Sequence, residues 1–115
     1  MRVPQDRALT PEERILVHWL LAHGRPPARA HLGGVEGLRV VSRCDCGCAS
    51  IDFVDAPGEP LEVLADYQWQ DADGHLFGAM VFAKDGKLAG LDVWSIDGAA
   101  TPTTLPAPSV LAPLT

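Results

Sequence analysis

Basic side chains are in short supply: 9 Lys and Arg face 15 Asp and Glu, for a formal net charge of -6 and a sequence pI of about 5.0. That balance disfavours nucleic-acid phosphates and anionic membrane surfaces, so neither partner is expected, and basic partners are the easier match. Long apolar runs are missing too. No stretch approaches the roughly 20 residues needed to cross a bilayer, and the opening MRVPQDRALTPEER lacks the apolar centre of a secretory signal. Cysteine is sparse, with 3 residues crowded between Cys44 and Cys48, an odd number that makes a poor disulfide framework and suits a reducing compartment. The expected location is therefore cytoplasmic. There is no Gly-rich phosphate loop, no G-x-S-x-G, no H-E-x-x-H and no basic, aromatic-laced strand. Those absences remove the commonest signatures of nucleotide, hydrolase, metalloprotease and RNA-binding chemistry.

What is present is ordinary globular material: 47% apolar and 21% charged residues over a 115-residue chain. A chain of that size folds as a single domain and buries roughly two thirds of its surface without disulfides or metal. Residues 1–9 show no periodicity and read as a loose arm. Residues 99–115, rich in proline, read as an extended tail. Between them the first strong signal is a helix start. Thr10 suits the N-cap, Pro11 the first helical position and Glu13 the third position of a capping box, and the run ILVHWLLAHG carries the helix to a stop at Gly24. Ile15, Leu16, Trp19 and Leu20 form its apolar stripe, broadened by Val17 and Leu21. Pro26-Pro27 then breaks the chain, and Pro27–Leu32 has the makings of a short second helix ended by Gly33-Gly34.

From Gly37 the texture turns β-rich. GLRVVSRCDCGCASIDFVD reads as a hairpin around a cysteine-bearing turn, and pairing Arg43 with Cys48 puts Leu38, Val40, Ser42, Ala49, Ile51 and Phe53 on one face, with Arg39 opposite Asp52 on the other. Ala56–Pro60 is a connector. Leu61–Asp97 then reads as a three-stranded meander closed by Asp73-Gly74 and Asp85-Gly86, since Asp-Gly is the strongest short signal for a two-residue turn. That register gives a core face of Tyr67, Trp69, Met80, Phe82, Leu91 and Val93, with Trp69 beside Gly78. It leaves a reverse face of Phe77, Val81, Asp92 and Trp94, covered by the hairpin, the tail, or a second copy of the chain. The fold class is α+β: one N-terminal helix on an antiparallel sheet of about five strands.

Two places carry candidate chemistry. Cys44, Cys46 and Cys48 offer soft thiolates on one turn, able to hold zinc if a fourth donor arrives, for which His75 and His31 are available. The spacing departs from the usual paired-cysteine zinc pattern. The same turn also suits a dithiol–disulfide couple, and the plainer reading is small, weakly polar residues at a hairpin tip. His18 and His23 are five apart on the helix, off the same-face spacing of a metal pair. On the reverse face, Phe77, Asp92 and Trp94 are the candidate ligand or partner surface, with Asp92 open to partial desolvation beside an indole.

With VVSRCDCGCASIDF and DGKLAGLDVWSIDG in view, the chain resembles a family of short uncharacterised bacterial proteins. The shared features are a C-x-C-G-C-x-S-hydrophobic hairpin and a D-G-K-L-x-x-L-[DE]-V strand followed by a proline-rich end. The resemblance spans about Leu38 to Pro106 and implies a compact domain, with no catalytic residues to carry over. The functional expectation is a small non-catalytic protein- or ligand-binding domain, of which an acidic immunity-type protein neutralising a basic toxin is one example. The alternative is a zinc or thiol-redox protein built on the cysteine turn.

Overall fold

The structure is a computed structural model that describes residues 2–55 and 61–113; the connector expected at 56–60 lies outside the described residues. In chain order its elements are β1 (Arg2–Ala8), α1 (Pro11–Ala22), a run of 3₁₀ turns (Pro26–Gly37), β2 (Arg39–Cys44), β3 (Ile51–Asp52), β4 (Glu62–Gln70), β5 (Leu76–Lys84), β6 (Lys87–Ser95), a 3₁₀ turn (Pro108–Val110) and β7 (Ala112–Pro113). The class is α+β, and the strands form one seven-stranded antiparallel sheet in the order β1-β2-β3-β6-β5-β4-β7. The sheet is larger than the five strands expected from sequence. The short β3 joins the cysteine hairpin to the meander by pairing with β6 (Ile51 with Leu91, Asp52 with Gly90). The two added strands come from both ends of the chain.

The loose arm is a strand. Arg2–Ala8 pairs along β2 from Arg2 opposite Cys44 to Ala8 opposite Arg39, with an irregularity between Pro4 and Arg7. Pro4 cannot donate to a ladder, which is tolerable at a sheet edge, and the irregularity erases the alternation that would have marked a strand. At the other edge β7 pairs with β4 through Tyr67–Pro113 and Gln68–Ala112. The tail therefore crosses the molecule as anchored chain: Ala49 N–H donates to the Pro102 carbonyl at 2.9 Å, and Ala100, Leu105 and Leu111 pack against the core.

α1 starts as its sequence dictates. Thr10 Oγ1 accepts from Glu13 N at 3.2 Å, and Glu13 Oε1 accepts from Thr10 N at 2.8 Å, a complete capping box. Leu16, Val17, Leu20 and Leu21 are fully buried against the sheet, whereas Ile15, expected on the apolar stripe, is 57% exposed. The helix is rotated so that the Glu13–Leu20 side faces inward and Ile15 lies outside. At its far end the Tyr67 hydroxyl donates to the His23 carbonyl at 2.7 Å, and Trp19 meets the Tyr67 ring edge-on at 4.9 Å. Double proline at its start and Gly33-Gly34 within it keep 26–37 to 3₁₀ turns, which bury Ala28 and Val35.

The two Asp-Gly dipeptides make different turns. At Asp85-Gly86 both residues have positive φ, 53° and 79°, and Lys84 pairs with Lys87, as a two-residue turn requires. At Asp73-Gly74 only the glycine has positive φ, at 84°. Gly74 N–H donates to the Asp71 carbonyl, Asp71 N–H to the His75 carbonyl, and Gln70 pairs with Leu76, the geometry of a type I turn followed by a glycine bulge. The longer turn moves the β4–β5 register by one residue, so Trp69 faces Phe77 and Gly78 faces Gln68. A further irregularity between Phe82 and Ala83 carries the change into β6.

A one-residue slip exchanges faces. Phe77, Ala79 and Val81 share the helix-covered face with Trp69, Leu91 and Val93 and belong to the core. Met80 and Phe82, expected inside, lie on the reverse face with Asp92 and Trp94. The glycine beside an indole is Gly78 next to Trp94, not Trp69, and Gly90 likewise receives the Phe82 ring; a Cβ at either glycine would overlap the ring. The cysteine hairpin shows the same effect: Ser42 pairs with Asp52 and Arg43 with Ile51, so Ser42 and Ile51 lie on opposite faces. Arg39 pairs with Ala8 in β1 and reaches Asp6 at 2.7 Å rather than Asp52.

Candidate metal centre

The turn between β2 and β3 is held at both sides and loose in the middle. Cys44 N–H approaches the Ser50 carbonyl at 3.4 Å, the tail fixes Ala49 through Pro102, and Gly47 takes a φ of 92° that favours glycine. Ser50 is pinned more firmly. Its buried hydroxyl accepts from Val93 N at 2.9 Å and lies 2.7 Å from Asp92 Oδ1 and 3.0 Å from the Val93 carbonyl. This turn gathers the thiols of Cys44, Cys46 and Cys48 so that all three sulfurs lie within 4.8 Å of one another. Cys44 Sγ and Cys46 Sγ are 2.8 Å apart, and Cys48 N–H points at Cys46 Sγ at 3.4 Å. Cys46 is exposed and its neighbours are half-buried.

The thiols do not titrate alike. Hydrogen bonding with Cys44 and then Cys48 pushes Cys46 up to about 11. For Cys48, partial burial works against ionisation, but hydrogen bonds from Ser50 and from the neighbouring thiols outweigh it and lower the pKa. Of the two, Cys48 is therefore the more acidic thiol and Cys46 the less acidic.

A second group of candidate ligands, Asp71, Asp73 and His75, also lies within 4.8 Å. It is a built turn. Asp71 Oδ1 accepts from Asp73 N at 3.0 Å and His75 N at 2.9 Å, while Asp97 accepts from Leu76 N and Ala99 N at 2.9 Å each. These hydrogen bonds, Leu76 N–H before Ala99 N–H, hold the Asp97 carboxyl below its usual range. His75, expected as a fourth donor to the cysteines, belongs to this group, with Asp97 Oδ2 3.9 Å from its Nδ1. His31 lines a cleft with Phe53, Lys87 and Leu88, at the other end of the sheet.

The expected ligand face is divided. Phe77 is buried in the core, stacked obliquely on Trp69 at 5.3 Å. Asp92 and Trp94 are half-buried on the opposite side, Asp92 beside Ser50 and Trp94 over Gly78. Four described clefts are not lined by any of these three residues. One open cleft, of about 420 Å³, does adjoin the cysteine turn, and Cys48 forms part of its wall with Arg43, Ser50, Thr103 and Thr104. Of these, Ser50 is the one the sequence could have marked, as the serine of Cys48-x-Ser50; the two threonines reach the site only because the tail folds back.

Fold and site together define a small α+β domain with an edge-capped antiparallel sheet and a thiol-rich turn. The chain belongs to a family of domains of unknown function, DUF6984, whose model matches residues 6–103. The match takes in α1 and the last three residues of β1 as well as the motifs from Leu38 onward. No curated protein and no solved structure matches the chain. No helix among the described residues is long and apolar enough to cross a membrane.

Proposed function

We propose that the domain is a non-catalytic binding protein whose ligand is a soft, filled-shell metal ion, Zn²⁺ or Cu⁺, held by Cys44, Cys46 and Cys48. The observation that carries this reading is the convergence of the three sulfurs within 4.8 Å. Zinc–sulfur bonds of about 2.3 Å place tetrahedral thiolates about 3.8 Å apart, so small rotations about the side chains bring these sulfurs into a coordination shell. Thiolate donors select such ions over harder ones. The ion is a ligand and not a staple, because the cysteines are exposed or half-buried and stand outside the core of Leu16, Leu20, Leu64, Leu91 and Val81. Structural zinc sites are also closed by four protein ligands, and three converge here.

Elemental analysis of protein purified without chelator tests the reading, with one equivalent of zinc or copper per chain expected. A metal-free protein that gains none on reconstitution would remove it. A second reading rests on the 2.8 Å approach of Cys44 and Cys46, which suits a reversible disulfide. Titration of free thiols across a dithiothreitol redox series, showing two thiols that disappear together while the third persists, would favour it.

A further inference from the structure

Cys48 belongs to two places at once, the sulfur cluster and the wall of the 420 Å³ cleft between the start of α1, the cysteine turn and tail residues 103–105. No other His, Cys, Asp or Glu side chain among the described residues joins the three sulfurs within 4.8 Å, so those residues offer an ion bound there three side-chain donors and no fourth. The cleft is where such a donor has room. Its size falls in the range of small-molecule sites.

The charges on its wall say what kind of molecule fits. Arg7 and Glu13 neutralise one another through a two-pronged pair at 2.8 and 3.0 Å. That leaves Arg43, which among the described residues forms no ion pair and donates to the Cys44 carbonyl at 3.3 Å, and the exposed Glu12 in the first turn of α1. One cation and one anion on the rim match a zwitterion, and Thr103 and Thr104 add hydroxyls from the tail. A carboxylate suits the guanidinium fork, and an ammonium suits Glu12.

Resting on the metal reading above, we propose that the cleft seats a low-mass aminothiol, a cysteine-type molecule carrying thiol, carboxylate and ammonium, whose sulfur completes the coordination of the ion held by Cys44, Cys46 and Cys48. Binding breaks the ligand's S–H bond and forms a sulfur–metal bond in place of a bound water. The proton leaves to buffer and no electrons are transferred. The domain is then a three-thiolate carrier that accepts or releases its ion as an aminothiol complex.

The test is ¹¹³Cd NMR on the reduced full chain loaded with one equivalent of ¹¹³Cd²⁺, titrated with free cysteine and, separately, with 2-mercaptoethanol, which has the thiol but neither charge. Cysteine should move the cadmium resonance downfield as a fourth sulfur joins, at a lower concentration than 2-mercaptoethanol. In Arg43→Gln the preference for cysteine over 2-mercaptoethanol should fall about tenfold, the scale of one charge-assisted hydrogen bond. Because each protein serves as its own reference through that ratio, any change in metal affinity cancels. A bound cadmium whose resonance ignores cysteine, or a preference unaffected by Arg43→Gln, would overturn this proposal and leave the metal site standing. Failure to bind cadmium at all would overturn both.

Discussion

Two turns bring three metal-capable side chains within 4.8 Å, Cys44/Cys46/Cys48 and Asp71/Asp73/His75, and they are not equivalent. In the second, Asp71 is occupied by backbone N–H groups on two residues of its own loop, and neighbouring Asp97 ties the loop to Leu76 and Ala99. An ion would have to compete with hydrogen bonds that hold the turn. In the first, Cys44 Sγ meets Cys46 Sγ, the Cys48 N–H reaches Cys46 Sγ only at 3.4 Å, and Ser50 bonds Cys48; what a metal displaces there is chiefly protons. Proximity of ligand atoms becomes a site where those atoms hold the backbone weakly, as the 3.4 Å contact at Cys46 does and the 2.9 and 3.0 Å bonds at Asp71 do not.

The sharpest way to break that contrast is to remove one ligand from each turn. Cys46→Ser should weaken zinc binding by more than about 100-fold, since even residues behind the ligands are worth 10–100-fold, while His75→Gln should leave it unchanged; competition against a chromophoric chelator measures both. A smaller effect, on stability, is expected at the far side of the cleft. Burial opposes ionisation of Glu13, but the Arg7 guanidinium, the Thr10 N–H and the Thr10 hydroxyl outweigh it and hold the carboxyl below its ordinary value of 4.5. A lowered folded pKa contributes stability that is fully present above the unfolded value and disappears as pH falls through the folded one. Glu13→Gln should therefore cost about 1–2 kcal/mol in urea unfolding at pH 7, with the gap to wild type closing below about pH 4.5 and metal binding retained.

Asp71→Ala should cost about 1 kcal/mol through its two lost hydrogen bonds, seen as faster amide exchange at Asp73 and His75 with no change in zinc affinity. Smallest of all is the effect of the ion on the fold. The three cysteines fall within five consecutive residues, so the unfolded chain retains them as a local chelator, and binding to the unfolded state cancels most of the stabilisation. Stripping the metal should lower Tm by less than about 4 °C, under 1 kcal/mol for a domain of this size. A drop of tens of degrees would make the ion structural and break the comparison from the other side.

The same contrast explains what could be read in advance. The capping box at Thr10 and Glu13, the hairpin around the cysteines and the meander were legible because each rests on local chemistry that nothing distant overrides. The register was not. Asp73-Gly74 carries the same dipeptide as Asp85-Gly86, yet Asp71 captures two amide groups and lengthens its turn, and a single residue of slip sends Phe77 and Val81 to the helix-covered face and Met80 and Phe82 to the reverse one, where Phe82 is buried over Gly90. β1 was hidden by Pro4 and the irregularity beside it, and β7 by its brevity. At the site, the thiols were visible in the spacing. Arg43, Thr103 and Thr104 were not, because they come together only when the tail packs against the cysteine turn through Ala49 and Pro102.

Optical titration of the reduced protein with Co²⁺ shows most directly whether the three neighbouring thiols form one soft-metal site. Thiolate-to-metal charge-transfer absorption should rise to a plateau at one equivalent, vanish on addition of zinc, and be absent from the Cys44→Ser/Cys46→Ser/Cys48→Ser variant. A flat titration with all three thiols verified as reduced would contradict the account.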